Sequence, residues 1–220
     1  MPATPLIRIH EIYESLQGES TLAGMPCTFV RLAGCPLRCC YCDTPQALSF
    51  KSGTVFGIEE IAQEVKLRDR PLTLVTGGEP LAQKHAPDLL TALADVSPLL
   101  QLETSGAFDI SGLDRRVRRI LDIKTPGSGE AERNRWQNLD DLHDGDEIKF
   151  IITSEADYRW MVDMMNAHGL PRANIPILAS PAWGELEPSD LAAWMLRDRI
   201  EARLQLQQHK YIWGAEASGV

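Results

Sequence analysis

The chain has 220 residues, 44% hydrophobic and 24% charged, with a formal net charge of −9. These values suit one domain, residues 1–220, with a sizeable core and a small-molecule substrate, and they argue against a basic nucleic-acid-binding face. No apolar run is long enough to span a membrane, and the N-terminal MPATPLIRIHEIYESLQ carries no secretion signature, so a cytoplasmic setting is expected.

In chain order, Thr28–Leu32 reads as a strand and Ile58–Leu67 as a helix, with Ile58, Ile61, Ala62 and Val65 on one face. Leu72–Val75 is a short strand, Ala86–Leu93 a helix, and Leu99–Leu102, Ile120–Ile123 and Glu147–Ile152 are strands. Ala156–His168 is a helix closed by Gly169 and Pro171; Ile175–Leu178 is a strand. Pro188–Arg203 is a helix with proline in its first turn, and Leu204–Gln207 a final strand. Alternating strands and helices predict an α/β fold with a parallel sheet. The segment 104–119 is too irregular for a full helix, so the expectation is an incomplete TIM-like barrel with about six parallel central strands. TGGEP, ETSG, KTPGSG, TS and ASP each follow a strand directly, which places them on the rim where such barrels assemble active sites.

Four of the five cysteines lie between positions 35 and 42, in the loop GCPLRCCYCDTP, residues 34–45. Such clustering points to metal or redox chemistry rather than disulfides. Cys35, Cys39 and Cys42 have the spacing C-x3-C-x2-C, which can wrap one iron–sulfur cluster and leave one iron open. The alternative, a four-cysteine zinc site of an interaction module, wants a second, distant C-x2-C knuckle, and there is none. Adjacent Cys39 and Cys40 point apart, so Cys40 is expected to pack; Cys27 reads as a small buried residue at a strand start.

The loop, with Tyr41 before Cys42, resembles the radical S-adenosylmethionine superfamily, and Thr76–Pro80 (TGGEP) strengthens the resemblance. YESLQGE (13–19), FVRLAGCPLRC (29–39), YCDTP (41–45), LETSG (102–106), DIKTPGSG (122–129), SPAWG (180–184) and QLQQHKYIWG (205–214) resemble one member, the 7-carboxy-7-deazaguanine synthase family of queuosine biosynthesis. Ser20 and Cys40 depart from its pattern. The resemblance implies a carbon–nitrogen lyase with a 4Fe-4S cluster on Cys35, Cys39 and Cys42, S-adenosylmethionine and magnesium. It implies cleavage of S-adenosylmethionine to a 5′-deoxyadenosyl radical, hydrogen abstraction from C6 of 6-carboxy-5,6,7,8-tetrahydropterin, and ring contraction with loss of ammonia. It also implies a homodimer and a flavodoxin- or ferredoxin-like electron donor.

On the same resemblance, Tyr41, Gly77, Gly78, Glu79, Lys124 and Ser154 contact S-adenosylmethionine, with Glu79 as an anion for its ammonium group. Leu16, Gln17, Glu19, Arg31, Thr76, Glu103 and His209 contact the pterin, and Thr44 binds magnesium. Taken alone, each has a plainer reading: GGE and DTP as turns, QGE as a surface turn, His209 as structural. Arg31, inside an apolar strand, needs an anionic partner, either the substrate carboxylate or a protein glutamate. The run Arg115, Arg116, Arg118, Arg119 reads as a solvated face rather than an RNA site. Within the superfamily, a glycyl-radical-enzyme activase is the rival, although it requires neither LQGE nor DIKTPGSG.

Overall fold

The computed structural model describes residues 5–172, 174–217 and 219. Among these, nine strands form one sheet. They are β1 (Leu6–Leu16), β2 (Pro26–Leu32), β3 (Thr54–Gly57), β4 (Leu72–Gly77), β5 (Leu100–Thr104), β6 (Val117–Ile123), β7 (Glu147–Ile152), β8 (Ile177–Pro181) and β9 (Arg203–Leu204), in the order β3-β1-β2-β4-β5-β6-β7-β8-β9. From β2 to β9 neighbours are parallel, which gives the six expected central strands plus a short edge; β1 pairs antiparallel with both β2 and β3. No described helix is long and apolar enough to cross a membrane.

The helices are α1 (Ile58–Arg68), α2 (Ala86–Ala94), α3 (Glu155–Ala167), α4 (Pro188–Asp198) and α5 (Gln208–Trp213). Ile61 and Val65 of α1, Leu89 and Leu93 of α2, Tyr158 and Met161 of α3 and Leu191 of α4 pack on Val30, Leu32, Val75, Leu102, Leu121, Phe150 and Ile152 of the sheet. A strand presents alternate residues to opposite faces. The other face carries a smaller apolar cluster: Cys27, Phe29, Leu72, Leu74 and Ile120.

Several boundaries differ from the sequence reading, each for a local reason. β1 and β3 were not anticipated. In β1, Ile7 and Ile9 alternate as a strand should, but the register shifts between Ile9 and Glu11, and such a bulge erases the period-two signal. The helix expected over Pro188–Arg203 stops at Asp198, where Arg199 turns left-handed (φ 52°). The strand expected at Ile175 begins at Ile177, after Pro176, which has no N–H to give to a ladder. The strand expected at Leu204–Gln207 is the two-residue β9, and 208–213 form a helix.

Candidate active site

The apolar inner face turns polar toward the strand C-termini while keeping its period of two. Along β2 it runs Cys27, Phe29, Arg31; along β4, Leu72, Leu74, Thr76; along β6, Ile120, Asp122 and then Lys124. Gln101 and Glu103 of β5 and Glu147 and Lys149 of β7 follow the same alternation. Arg31, Thr76, Glu103, Asp122, Lys124 and Lys149 thereby line one cavity of about 840 Å³. Leu16, Gln17, Glu19, Cys35, Cys39, Tyr41, Cys42, Thr44, Gly77, Gly78 and His209 also line it. Of the residues singled out from sequence, the cavity gathers all but Glu79 and Ser154.

The cysteine loop is held on both sides. Gly34 and Cys35 donate their N–H groups to Ala47 and Leu48 (2.7 and 3.1 Å), and Cys40 N–H donates to Ser128 O (3.1 Å). Gly78 N–H reaches Leu32 O at 3.1 Å and Glu79 N–H reaches Gly34 O at 2.9 Å, so the GGE turn presses directly on the loop. A Cβ on Gly78 would lie 2.3 Å from Gly34 O, which is why this turn needs glycine. Burial raises the Cys39 thiol to about 11, and Cys35 and Cys42 each add to that rise; burial likewise raises Cys35, which also feels Cys42. The three thiols are thus electrostatic neighbours. Lys124 favours the thiolate forms of Cys35 and Cys39.

Elsewhere in the cavity, the ammonium of Lys149 meets Glu103, Glu19 Oε2 at 2.9 Å and Asp122 Oδ2 at 3.5 Å. Burial alone would push Lys149 down, but these carboxylates hold it charged, well above its ordinary value. Glu19 also accepts from Gln207 Nε2 (2.8 Å) and Gln205 Nε2 (3.2 Å). Burial opposes its ionisation, yet Lys149 keeps it below the ordinary range, whereas for Glu103 burial prevails and its carboxyl lies above it. Arg31 has the protein partner that the plainer reading required: Nε meets Glu11 Oε1 at 2.8 Å, Nη2 meets Tyr13 OH at 3.0 Å, and Nη1 lies 3.5 Å from Thr44 Oγ1. His209, half-buried beside Gly18, is lowered by burial and so presents a neutral imidazole.

The chain is 46% identical to a 7-carboxy-7-deazaguanine synthase of Chlorobaculum tepidum over 97% of both chains. A second such synthase, from Koribacter versatilis, is 41% identical over 97% of this chain and all of its own. The chain belongs to the 7-carboxy-7-deazaguanine synthase family. Residues 30–126 match the model of the radical SAM superfamily. The fold is that of the crystal structure of QueE from Escherichia coli, with a TM-score of 0.75 at 21% identity over 93% of this chain and 95% of that one. The incomplete barrel inferred from sequence is therefore the fold of this family member, and the glycyl-radical activase alternative is not favoured.

Membership of a radical S-adenosylmethionine family implies a 4Fe-4S cluster and S-adenosylmethionine, and the loop fits them. Among the described residues, no three His, Cys, Asp or Glu groups converge on a point that would hold a single ion. Three neighbouring thiols on one cavity wall suit a multinuclear cluster, whose ligands sit at separate corners.

Two of the residues expected to meet S-adenosylmethionine have partners within the protein, and Cys40 does not pack as expected. Glu79 is fully buried, and its carboxylate accepts from Leu81 N–H (2.9 Å), Thr104 Oγ1 (2.8 Å) and Ser105 N–H (2.7 Å). It binds the ends of β4 and β5 together instead of pointing a free anion into the cavity. Ser154 lies off the cavity because it caps α3, accepting from Asp157 N–H at 3.3 Å. Cys40 is exposed rather than packed, its Sγ 2.8 Å from Gly127 O. The sequence reading passed over Lys149, Asp122 and Gln207. A lone lysine within the apolar strand EIKFII carried the same signal that drew attention to Arg31.

Proposed function

We propose that the chain, acting as a single radical S-adenosylmethionine domain, converts 6-carboxy-5,6,7,8-tetrahydropterin to 7-carboxy-7-deazaguanine and ammonia. The observation that carries this reading is one cavity with two chemically distinct walls. Thiols and glycines line one, and carboxylates, amides and an arginine line the other.

Cys35, Cys39 and Cys42 would hold the cluster, and Tyr41, Gly77, Gly78 and Lys124 would line the space beside it for S-adenosylmethionine. When bound, the two supply the one-electron chemistry that removes a hydrogen atom from carbon. The protein's own part is recognition and orientation. A tetrahydropterin offers several N–H donors along its flat edges, and Gln17, Glu19 and Glu103 offer acceptors to match them. Arg31 Nη1 donates to Thr44 Oγ1 at 3.5 Å, so a substrate carboxylate that reached the guanidinium would also lie near magnesium on Thr44. The hard oxygen donors of Asp43 and Thr44 at the cavity support magnesium. Neutral His209 and Leu16 close the remaining wall against water.

The reading includes a flavodoxin- or ferredoxin-like electron donor and a homodimer, with no direct nucleic-acid partner. Ile212 and Trp213 are exposed and available to a second copy, whereas Trp194 packs against Tyr158 at 5.6 Å between ring centroids. Acidic net charge and pairing of two of the four arginines in the run support the absence of RNA binding: Arg116 pairs with Asp95 and Asp114, and Arg119 is buried against Asp146.

An anaerobic assay of the reconstituted enzyme with 6-carboxytetrahydropterin, with and without magnesium, tests the proposal. The expected result is a deazaguanine product at a rate that magnesium raises. Competent S-adenosylmethionine cleavage with no deazaguanine product would overturn it.

A further inference from the structure

We propose that Lys149 is the positioning residue of pterin recognition: its ammonium clamps Glu19 and Glu103 so that each turns a carboxylate oxygen toward the N–H edge of the heterocycle. The inference rests on the pterin reading above and assigns a role to a residue that the motif comparison did not touch.

The hydrogen-bond inventory makes the case. An ammonium has three N–H donors and no acceptor. Lys149 has three carboxylate neighbours, Glu19, Glu103 and Asp122, on three separate elements. Two of its donors are hydrogen-bonded, to Glu19 and Glu103, the third faces Asp122 at 3.5 Å, and only 3% of its side chain is exposed. It acts through the groups it holds.

Those groups keep capacity on the cavity side. Lys149 takes Oε1 of Glu103, and Oε2 has only the Thr76 hydroxyl at 3.4 Å. Lys149 takes Oε2 of Glu19, and Oε1 carries a single bond from Gln207 at 2.8 Å. Each carboxylate thus keeps an oxygen able to accept again. Without the cation, Glu19, Glu103 and Asp122 would share a buried floor with Lys124 alone to offset them. Like charges at short range in a low dielectric separate or take up protons, and either change removes an acceptor.

The test uses the cluster-loaded enzyme with K149M and K149R. Iron content and pterin-independent S-adenosylmethionine cleavage report on the cysteine wall, and steady-state turnover of the pterin reports on the other. Loss of two oriented, charge-assisted contacts predicts that K149M raises KM for the pterin at least about tenfold, with a smaller change in kcat. Both cysteine-wall readouts should remain near wild type. K149R, which keeps the charge and the donors, should recover most of the KM loss. A K149M KM within about threefold of wild type, a range too small for a lost charged contact, would overturn the proposal. Parallel loss of iron or of S-adenosylmethionine cleavage would overturn it too, by making Lys149 merely structural.

If K149M is insoluble, E103Q/K149M removes one buried charge of each sign and is compared with E103Q. An added KM increase of about threefold or more, through Glu19, supports the clamp; no increase overturns it. Failure of the wild-type enzyme to turn over the pterin would instead reject the functional reading on which the clamp rests.

Discussion

The five cysteines sit in different environments, and their chemistry follows. Cys27 is fully buried beside Phe29 and Leu72 in the inner apolar cluster, and burial raises its thiol to about 12. Only thiolate reacts with alkylating reagents, so Cys27 should be inert in the folded protein. Cys40 is exposed. Anaerobic treatment of the cluster-loaded enzyme with iodoacetamide near pH 8 should label Cys40 first and Cys27 only after unfolding, as read by peptide mass mapping. Equal labelling of both in the folded state would contradict the burial. C40A should keep its iron, and C39A should lose it. The sequence revealed Cys27 because it sits in an apolar strand, whose interior is predictable. It did not reveal Cys40, because the side chain's direction depends on how the 126–129 turn backs the cysteine loop.

At the scale of elements, a buried ion pair joins β6 to the turn before β7. Arg119 Nε meets Asp146 Oδ2 at 2.9 Å, and Asp146 also accepts from the N–H groups of Arg119 and His143, at 2.7 and 2.8 Å. Removing one partner strands a charge in the interior, so D146A should lower unfolding free energy by about 3–5 kcal/mol, measured by urea denaturation. The arginine run was expected to be solvated; one of its four members, Arg119, is buried, because strand alternation turns it to the helix-covered face with Val117 and Leu121. Helix α5 is held differently. Lys210 Nζ lies 3.5 Å from Asp43 Oδ2, and Gln207 bonds both Asp43 (3.2 Å) and Glu19 (2.8 Å). Burial pushes the Asp43 carboxyl up, but Lys210 and the Thr44 hydroxyl hold it below the ordinary range. A depressed carboxylate stabilises the fold fully above its ordinary value, about 3.9, and that contribution fades as pH falls through the lower folded value. Hydrogen exchange at 208–213 should therefore accelerate, relative to the sheet, below about pH 4. In D43N the same segment should already be less protected at neutral pH, and an unchanged D43N profile would discount the tether. No helix signal was legible here, since six residues are too few for a hydrophobic period and the segment is fixed by contacts distant in sequence.

At the scale of the whole molecule, the cavity exists because the chain's first and last segments meet inside the curved sheet. The 17–25 loop leaves β1 and crosses to the far strands. Gln17 Nε2 bonds Gln101 of β5 at 2.7 Å, Ser20 N–H bonds Gln205 at 2.7 Å, and Thr21 N–H bonds Glu147 of β7 at 3.0 Å. Gln208 N–H returns to Gly18 O at 3.0 Å. The central strands and the cysteine loop were legible because their patterns are local. The polar wall was legible only in parts, as LQGE and ETSG, since its assembly depends on contacts from 46 to 188 residues apart. Those contacts can be tested separately from the cysteine wall. Glu147 is buried and accepts from both the backbone and the hydroxyl of Thr21, so E147A leaves those donors unpaired and frees the loop that carries Gln17 and Glu19. Thr21 is exposed, so water can take over its donors, and the lost hydrogen bonds predict only a modest fall in stability, about 0.5–1.5 kcal/mol each, in denaturant. The same release should raise KM for the pterin, because Glu19 loses its fixed orientation relative to Glu103. Iron content should hold, because the cysteine loop is anchored independently through Ala47, Leu48 and Ser128. E147Q keeps the shape and one acceptor oxygen, so it should fall between E147A and wild type in both stability and KM. If E147A lost iron in step with pterin affinity, the two walls would be one cooperative unit and the division of labour drawn from the geometry would fail.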